Sequence, residues 1–209
     1  MNVTELKRSY PSLKTVIAVS KTRTIEEINE LIHQGYMDFG ENKAQELKDK
    51  APYLKDVVWH FIGHLQTNKV KDVISVATYI HSVDSIKCLL MIEKEAKKIN
   101  KKINILMQVN LAEEVTKSGL NRMEIPAFLL EANKCEYAML CGIMVIGPQT
   151  QDSEEIRRIF KEAKQQQSQI QKNIPGFQEC SMGMSQDYQI ALEEGASMLR
   201  IGTLLFVPR

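Results

Sequence analysis

The sequence predicts a (β/α)₈ barrel formed by a single domain over residues 1–209. Short runs rich in β-branched residues alternate along the chain with segments whose apolar residues recur at helical spacing. Eight such runs are separated by seven helical segments, and this alternation is typical of a parallel sheet with helical crossovers. No linker-like segment divides the chain. An open, doubly wound sheet is the alternative arrangement of the same elements.

The first half of the chain carries strong local signals. The run Thr15–Val19 is short and β-branched, as expected for a strand buried on both faces. Thr24 is followed three residues later by Glu27, the signature of a capping box, and Gly35 stands where that helix should end. Further strands are predicted over residues 36–39, 57–62 and 79–83, and further helices over residues 44–50, 67–75 and 86–99.

The second half continues the same pattern. Strands are predicted over residues 103–109, 140–146, 178–182 and 198–201, with helices over 125–132, 152–170 and 187–194 and a polar loop over 110–119. The pattern shows no helix after the eighth strand. We therefore expect residues 2–9 to form a short helix over the seam between the eighth and first strands, or the seam to be exposed and used for self-association.

Composition excludes several classes of protein. Lys plus Arg number 27 and Asp plus Glu 26, a net charge of +1, which argues against a dedicated nucleic-acid binder. No stretch approaches the roughly 18 apolar residues of a membrane span, and the polar N-terminus lacks the apolar core of a signal peptide. The scattered cysteines form no C-x-x-C pair, so we expect reduced thiols in a cytoplasmic protein. His60 and His64 are four apart, but His60 lies in a strand-like run, so no metal site is predicted.

Lys21 is the residue most indicative of chemistry. It directly follows the first strand, and the active sites of such barrels lie at the C-terminal ends of the strands. A lysine held near a partly dry interior has its pKa lowered, and its neutral amine can form a Schiff base with an aldehyde. An ordinary solvated lysine is the alternative interpretation.

Two segments near the C-terminus indicate phosphate binding. Residues 181–185 read SMGMS and residues 200–203 read RIGT. Hydroxyls and exposed backbone N–H groups after strands seven and eight are the usual phosphate cradle of such barrels, with plain turn residues as the alternative. A Schiff-base lysine opposite a phosphate cradle points to pyridoxal phosphate.

The sequence resembles the pyridoxal phosphate homeostasis protein family, whose fold is similar to the barrel domain of alanine racemase. The resemblance implies an alanine-racemase-like barrel of fold type III, here with a shortened N-terminal helix. It extends from about residue 16 to residue 206. The matching runs are AVSKTRT at 18–24, DFGENKAQEL at 38–47, WHFIGHLQTNKVK at 59–71, HSVDS at 81–85, QVNLAEEVTKSGL at 108–120, CGIMVIGP at 141–148 and SMGMSQDYQIALEEGASMLRIGT at 181–203.

The resemblance also implies roles for individual residues. It implies that Lys21 carries pyridoxal 5′-phosphate as an internal aldimine and that Arg200 faces the pyridine nitrogen. Ser181 and the backbone near it would hold the phosphate, completed by the N–H groups of Gly202 and Thr203. The implied cofactor-binding residues are Lys21, Asn42, His64, Ser181, Met182, Ser185, Arg200, Gly202 and Thr203.

These implied roles favour a carrier over an enzyme. A permanently charged Arg200 disfavours protonation of the ring nitrogen and makes the ring a poorer electron sink. Racemases with this arrangement add a tyrosine base from another domain and subunit, whereas this chain ends at residue 209. We expect a cytoplasmic, monomeric protein that serves pyridoxal phosphate homeostasis and delivery to apoenzymes, with little or no turnover and with no nucleic-acid or membrane partner. A pyridoxal phosphate-dependent amino-acid racemase is the alternative.

Overall fold

Eight parallel strands form a closed barrel in the computed structural model, which describes residues 3–114 and 118–206. The strands pair in chain order and the last pairs with the first, which confirms the predicted barrel and excludes the open sheet. The strands are β1 Thr15–Val19, β2 Asp38–Glu41, β3 Val58–Phe61, β4 Tyr79–Val83, β5 Ile103–Gln108, β6 Ala138–Met144, β7 Glu179–Ser181 and β8 Met198–Ile201.

One helix precedes β1 and one follows each of the first seven strands. Short 3₁₀ turns at Ala51–Tyr53 and Thr67–Lys69 adjoin two of them. Within the described ranges, no helix is both long enough and apolar enough to cross a membrane. The helices are α1 Val3–Ser9, α2 Ile25–His33, α3 Ala44–Lys50, α4 Val70–Val76, α5 Ile86–Lys98, α6 Ile125–Ala132, α7 Ser153–Gln171 and α8 Tyr188–Glu193.

β2 begins two residues later than predicted, because α2 ends in a Schellman motif. Gly35 has a φ of +90° and donates its N–H to Ile32, while Tyr36 donates to Leu31. Tyr36 therefore belongs to the C-terminal cap of α2 and not to β2. β6 begins and ends two residues earlier than predicted, since Ala138 already pairs with Ile103 of β5.

The barrel has an inner and an outer layer of side chains. Successive residues of a strand point to opposite faces, so each strand contributes to both layers. Trp59 and Phe61 belong to the outer core, which places the intervening His60 inside the barrel. A small inner apolar cluster is formed by Ile17, Leu106, Met144 and Met198. Polar side chains therefore occupy much of the remaining interior.

The seam between β8 and β1 is covered, so the expectation of an exposed seam is wrong. Its outward-facing side chains are at most 5% exposed; they are Val16, Ala18, Leu199 and Ile201. The predicted N-terminal helix is present as α1, and Val3 and Leu6 pack against the outer core. Asn2 of that prediction, and residues 115–117 of the predicted loop, lie outside the described residues.

α1 also encloses a cavity at the N-terminal end of the barrel. The cavity has a volume of about 800 Å³ and is lined by residues of α1, by Val16 and by residues 34–38. α1 therefore lies beside the starts of β1 and β2, at the end of the barrel opposite to Lys21.

Candidate functional site

Lys21 lies at the mouth of the barrel, the end at which the strands have their C-termini. Ile17 belongs to the inner cluster, so alternation places Val19 and then Lys21 on the inward side. Lys21 is nevertheless exposed, because the ladder ends one residue earlier with the bond from Ser20 N–H to the carbonyl oxygen of Gly40. The expectation of a partly dry lysine is therefore wrong. Thr22 has a φ of +62°, unusual for a residue other than glycine, and turns the chain sharply after Lys21.

A buried ion pair supports the backbone beneath Lys21. The Nζ atom of Lys50 lies 2.7 Å from Oε1 of Glu41 and 2.7 Å from the carbonyl oxygen of Ser20. The Ser20 hydroxyl donates to the same Glu41 oxygen at 2.6 Å. Burial raises the pKa of Glu41, and the hydrogen bonds from Lys50 and Ser20 oppose that rise. This Glu41 cluster, formed by Ser20, Glu41 and Lys50, joins the loop after β1 to the end of β2 and the end of α3.

Asn42 carries an unpaired polar atom next to this cluster. Its Oδ1 atom is buried and has no hydrogen-bond partner among the described residues. Buried polar atoms are normally paired, so an orphaned amide oxygen at the mouth fits a site that binds a polar ligand. Gly63, after β3, lies so close that an added Cβ would be 2.0 Å from the carbonyl oxygen of Asn42.

Gly63→Ala is expected to lower the free energy of unfolding by about 3 kcal/mol, because backbone atoms must move to admit the methyl group. Urea denaturation measures the loss. Gly176→Ala is the matched control: nothing lies within 4 Å of its added Cβ, and a change within about 0.5 kcal/mol is expected. Equal stability of the two variants would contradict the close approach of Gly63 to Asn42.

His64 lies at the barrel mouth in the loop after β3. Its side chain is 61% exposed, and its Nδ1 atom lies 3.3 Å from Oδ2 of Asp84, which follows β4. Both residues line an open cavity of about 400 Å³ between the loops after β3 and β4, together with residues 65–68, Ser85 and Cys88. His64 is thus free to contact a ligand from the solvent side.

Ser185, Gly202 and Thr203 form a group of donors after β7 and β8. The N–H group of Gly202 donates to Oγ of Ser185 at 3.3 Å. The N–H group of Thr203 donates to no group in the described part of the chain. A Cβ added to Gly202 would lie 3.6 Å from Cβ of Val19, an ordinary van der Waals distance, so Gly202 adjoins the end of β1. The free N–H group of Thr203, the adjacent N–H group of Gly202 and the Ser185 hydroxyl together suit an anion.

Arg200 points into the barrel beneath the mouth. Its Nη1 donates to Oγ of Ser181 at 2.7 Å, and its Nη2 donates to the carbonyl oxygen of Val145 at 2.9 Å. Burial lowers the pKa of Arg200 to about 10, so the guanidinium is still charged at neutral pH. Ser181 therefore lies in the interior with Arg200, apart from the group formed by Ser185, Gly202 and Thr203.

Met182 lies apart from the other predicted site residues. Its side chain is fully buried in the outer core, with the sulfur 3.7 Å from that of Cys180. Only its backbone can face the mouth. Conversely, the predicted set lacked His81, which contacts Ser181 in the barrel interior, and His60 and Asp38, which are linked to it through His81. The alternation of apolar and polar residues in β3 and β4 is the signal that could have found both histidines.

The four cysteines are free thiols. Burial raises the pKa values of Cys88, Cys141 and Cys180 to about 12 and that of Cys135 to about 11. All four thiols are therefore protonated at neutral pH, so no cysteine thiolate competes with the amine of Lys21 for an aldehyde.

Comparison with known proteins shows which family the chain is similar to. The family model described as alanine racemase, N-terminal domain, matches residues 1–209. The pyridoxal phosphate homeostasis protein of Synechocystis sp. is 35% identical over 209 residues, covering 98% of this chain and 96% of the relative. That of Helicobacter pylori is 40% identical over 197 residues, covering 91% and 86%.

Solved structures extend the comparison. PipY of Synechococcus elongatus with PLP bound has a TM-score of 0.87 and 31% identity, covering 99% of this chain and 100% of PipY. The alanine racemase of Clostridium difficile shares the fold, with a TM-score of 0.78 and 14% identity, over 99% of this chain and 55% of the racemase.

Proposed function

The chain belongs to the alanine racemase N-terminal domain family and, within it, to the pyridoxal phosphate homeostasis proteins, and on that premise we propose that it holds pyridoxal 5′-phosphate at the barrel mouth for intracellular homeostasis and delivery. One observation carries the proposal: an exposed lysine after β1 stands beside the N–H donors of Gly202 and Thr203 after β8, of which that of Thr203 is free. β1 and β8 are paired neighbours, and Val19 approaches Gly202. The amine of Lys21 and the proposed anion site therefore lie on the same side of the barrel mouth.

Each of these groups has a role in the proposal. The N–H groups of Gly202 and Thr203 and the Ser185 hydroxyl would bind the phosphate. The Nζ atom of Lys21 would bond to the aldehyde carbon, with loss of the carbonyl oxygen as water. Arg200 is the proposed partner of the ring nitrogen, with Ser181 acting through it.

The remaining predicted residues would line the bound cofactor. Asn42 offers its orphaned amide oxygen and His64 its exposed ring, whereas Met182 would contribute through its backbone alone. The residues present therefore fit the cofactor. When bound, pyridoxal phosphate supplies an aldehyde and an electron-accepting ring.

Little or no turnover belongs to the same proposal. Arg200 keeps its charge at neutral pH, and a cation facing the ring nitrogen disfavours protonation of that nitrogen. The ring is then a weak electron sink, so the protein would retain the cofactor and release it to apoenzymes. Amino-acid racemisation is the competing function, favoured by the fold shared with alanine racemase.

The two functions are separated by measurements on protein loaded with pyridoxal phosphate. We expect an absorbance band near the visible edge, a pyridoxyl group on Lys21 after borohydride reduction, and no racemisation of alanine or serine above background. Racemisation at ordinary enzyme rates, of order 1–10³ per second, would favour the racemase. Absence of the band would contradict both.

Ser185→Ala is expected to raise the dissociation constant of pyridoxal phosphate about tenfold, since one donor to the phosphate is lost. The affinity for pyridoxal, which has no phosphate, should not change. Ser168→Ala, on the exposed side of α7, is the control and should leave both affinities unaltered. An equal loss for pyridoxal and its phosphate would exclude Ser185 from the phosphate site.

A further inference from the structure

A continuous chain of hydrogen bonds runs through the barrel from its N-terminal end to Arg200. Nε2 of His60 lies 3.0 Å from Oδ1 of Asp38, and Nδ1 of His60 lies 2.9 Å from Nε2 of His81. Nδ1 of His81 lies 2.9 Å from Oγ of Ser181, the atom that accepts from Arg200. These five residues are called the interior chain below.

The interior chain is closed to solvent except at Asp38. His60, His81 and Ser181 are fully buried, and the Tyr79 ring stacks on His60 with centroids 4.6 Å apart. Asp38 is 30% exposed on the side chain and borders the 800 Å³ cavity beneath the barrel. Burial lowers the pKa values of both histidines, that of His81 furthest, because the Arg200 guanidinium and any proton added to His60 also oppose its protonation. Both rings are therefore neutral at neutral pH.

The donor-only guanidinium at one end and the acceptor oxygen of Asp38 at the other determine the direction of every bond between them. A guanidinium can only donate, so the Ser181 oxygen accepts from Arg200 and its hydroxyl proton is available to His81. His81 accepts on Nδ1, so its one proton lies on Nε2 and is donated to Nδ1 of His60. His60 likewise carries its proton on Nε2 and donates it to the Asp38 carboxylate.

We propose that Asp38, His60 and His81 are positioning residues for Arg200. The carboxylate of Asp38 fixes both histidine tautomers, and these orient the Ser181 hydroxyl so that its oxygen faces the guanidinium. If the tautomers reversed, the Ser181 oxygen would have to accept from both His81 and Arg200, and its hydroxyl proton would lose His81 as its acceptor. Nε2 of His60 would then turn a lone pair toward the Asp38 carboxylate. The proposal rests on the proposed function only in that Arg200 is taken to face the cofactor ring.

The tautomers are tested on cofactor-free protein by imidazole ¹⁵N NMR at neutral pH. His60 and His81 should both be neutral and protonated on Nε2, while the exposed His33 and His64 serve as reference rings in the same spectrum. A cationic ring, or a proton on Nδ1 of either buried histidine, would overturn the proposal.

The link to Arg200 is tested with two variants of Asp38. In Asp38→Ala, His60 should populate both tautomers, the Nη–H signals of Arg200 should shift or broaden, and the dissociation constant of pyridoxal phosphate should rise about tenfold. Asp38→Asn keeps an acceptor of the same shape and should retain wild-type spectra and affinity. Asp56→Ala removes an exposed aspartate elsewhere and controls for lost charge.

Unchanged Arg200 signals or unchanged cofactor affinity in folded Asp38→Ala would overturn the positioning role. Wild-type protein that binds no pyridoxal phosphate would instead defeat the proposed function, while the NMR arms would still decide whether the interior chain holds Arg200. The two failures are therefore distinguishable.

Discussion

Lys21→Ala is expected to abolish covalent attachment of pyridoxal phosphate to the protein. Lys21 is the lysine placed directly after β1 on the inward side of the mouth, and the carbon–nitrogen bond to the aldehyde cannot form without its amine. Loaded protein should lack the absorbance band near the visible edge, and mass spectrometry after borohydride reduction should find no pyridoxyl adduct.

Lys43→Ala is the matched control. Lys43 also lies near the mouth, after β2, but its side chain is largely exposed and pairs with Glu46 at 3.8 Å. The variant should keep both the band and the adduct on Lys21. An adduct that persists in Lys21→Ala on any other lysine would show that the mouth does not select its amine.

Lys50→Met is expected to lower the free energy of unfolding by about 3–5 kcal/mol, because the buried Glu41 carboxylate loses its cationic partner and keeps only the Ser20 hydroxyl among the groups described above. Urea denaturation measures the loss. Lys48→Met is the control from the same helix. Within the described part of the chain Lys48 makes only an exposed contact to Asp72, so a change of at most about 1 kcal/mol is expected. Comparable losses in both variants would contradict the role of the buried pair.

The loss of stability in Lys50→Met should increase as pH rises. Burial raises the pKa of Glu41, and removal of Lys50 takes away the main opposing group. A carboxyl group whose folded pKa lies above its unfolded value stabilises the folded state below the unfolded pKa, and that stabilisation disappears as pH rises through the folded pKa. The variant should therefore be closest to wild type in acid and fall further behind as pH increases. A loss independent of pH would indicate that Glu41 does not carry the effect.

Sequence predicts best the bounds of those helices and strands whose ends are marked by residues close to them in the chain. α3, α6, β1, β4 and β8 have the predicted bounds. By contrast, the start of β2 depends on how α2 ends, and the ends of β6 depend on its register with β5. Strand pairing is a tertiary contact, so the spacing of apolar residues alone does not set such boundaries.

The same distinction applies to the site. Lys21, Asn42, His64 and Gly202 can be placed at the mouth from sequence, because each follows a predicted strand. The bond between His81 and Ser181 joins residues 100 positions apart, and only closure of the barrel creates it. The exposure of Lys21 likewise depends on where the β1 ladder ends. The pairing of Ser181 with Arg200 depends on which side chains of β7 and β8 point into the barrel.

The raised pKa values of the cysteines determine how readily the protein's own thiols would react with a bound aldehyde. Only a thiolate adds readily to an electrophilic carbon, and with pKa values of about 11 and 12 roughly one thiol in ten thousand or fewer is ionised at pH 7. An aldehyde bound at the mouth would meet the amine of Lys21 but almost no thiolate from the same chain. Such a barrel would not lose its ligand to thiohemiacetal formation with its own side chains.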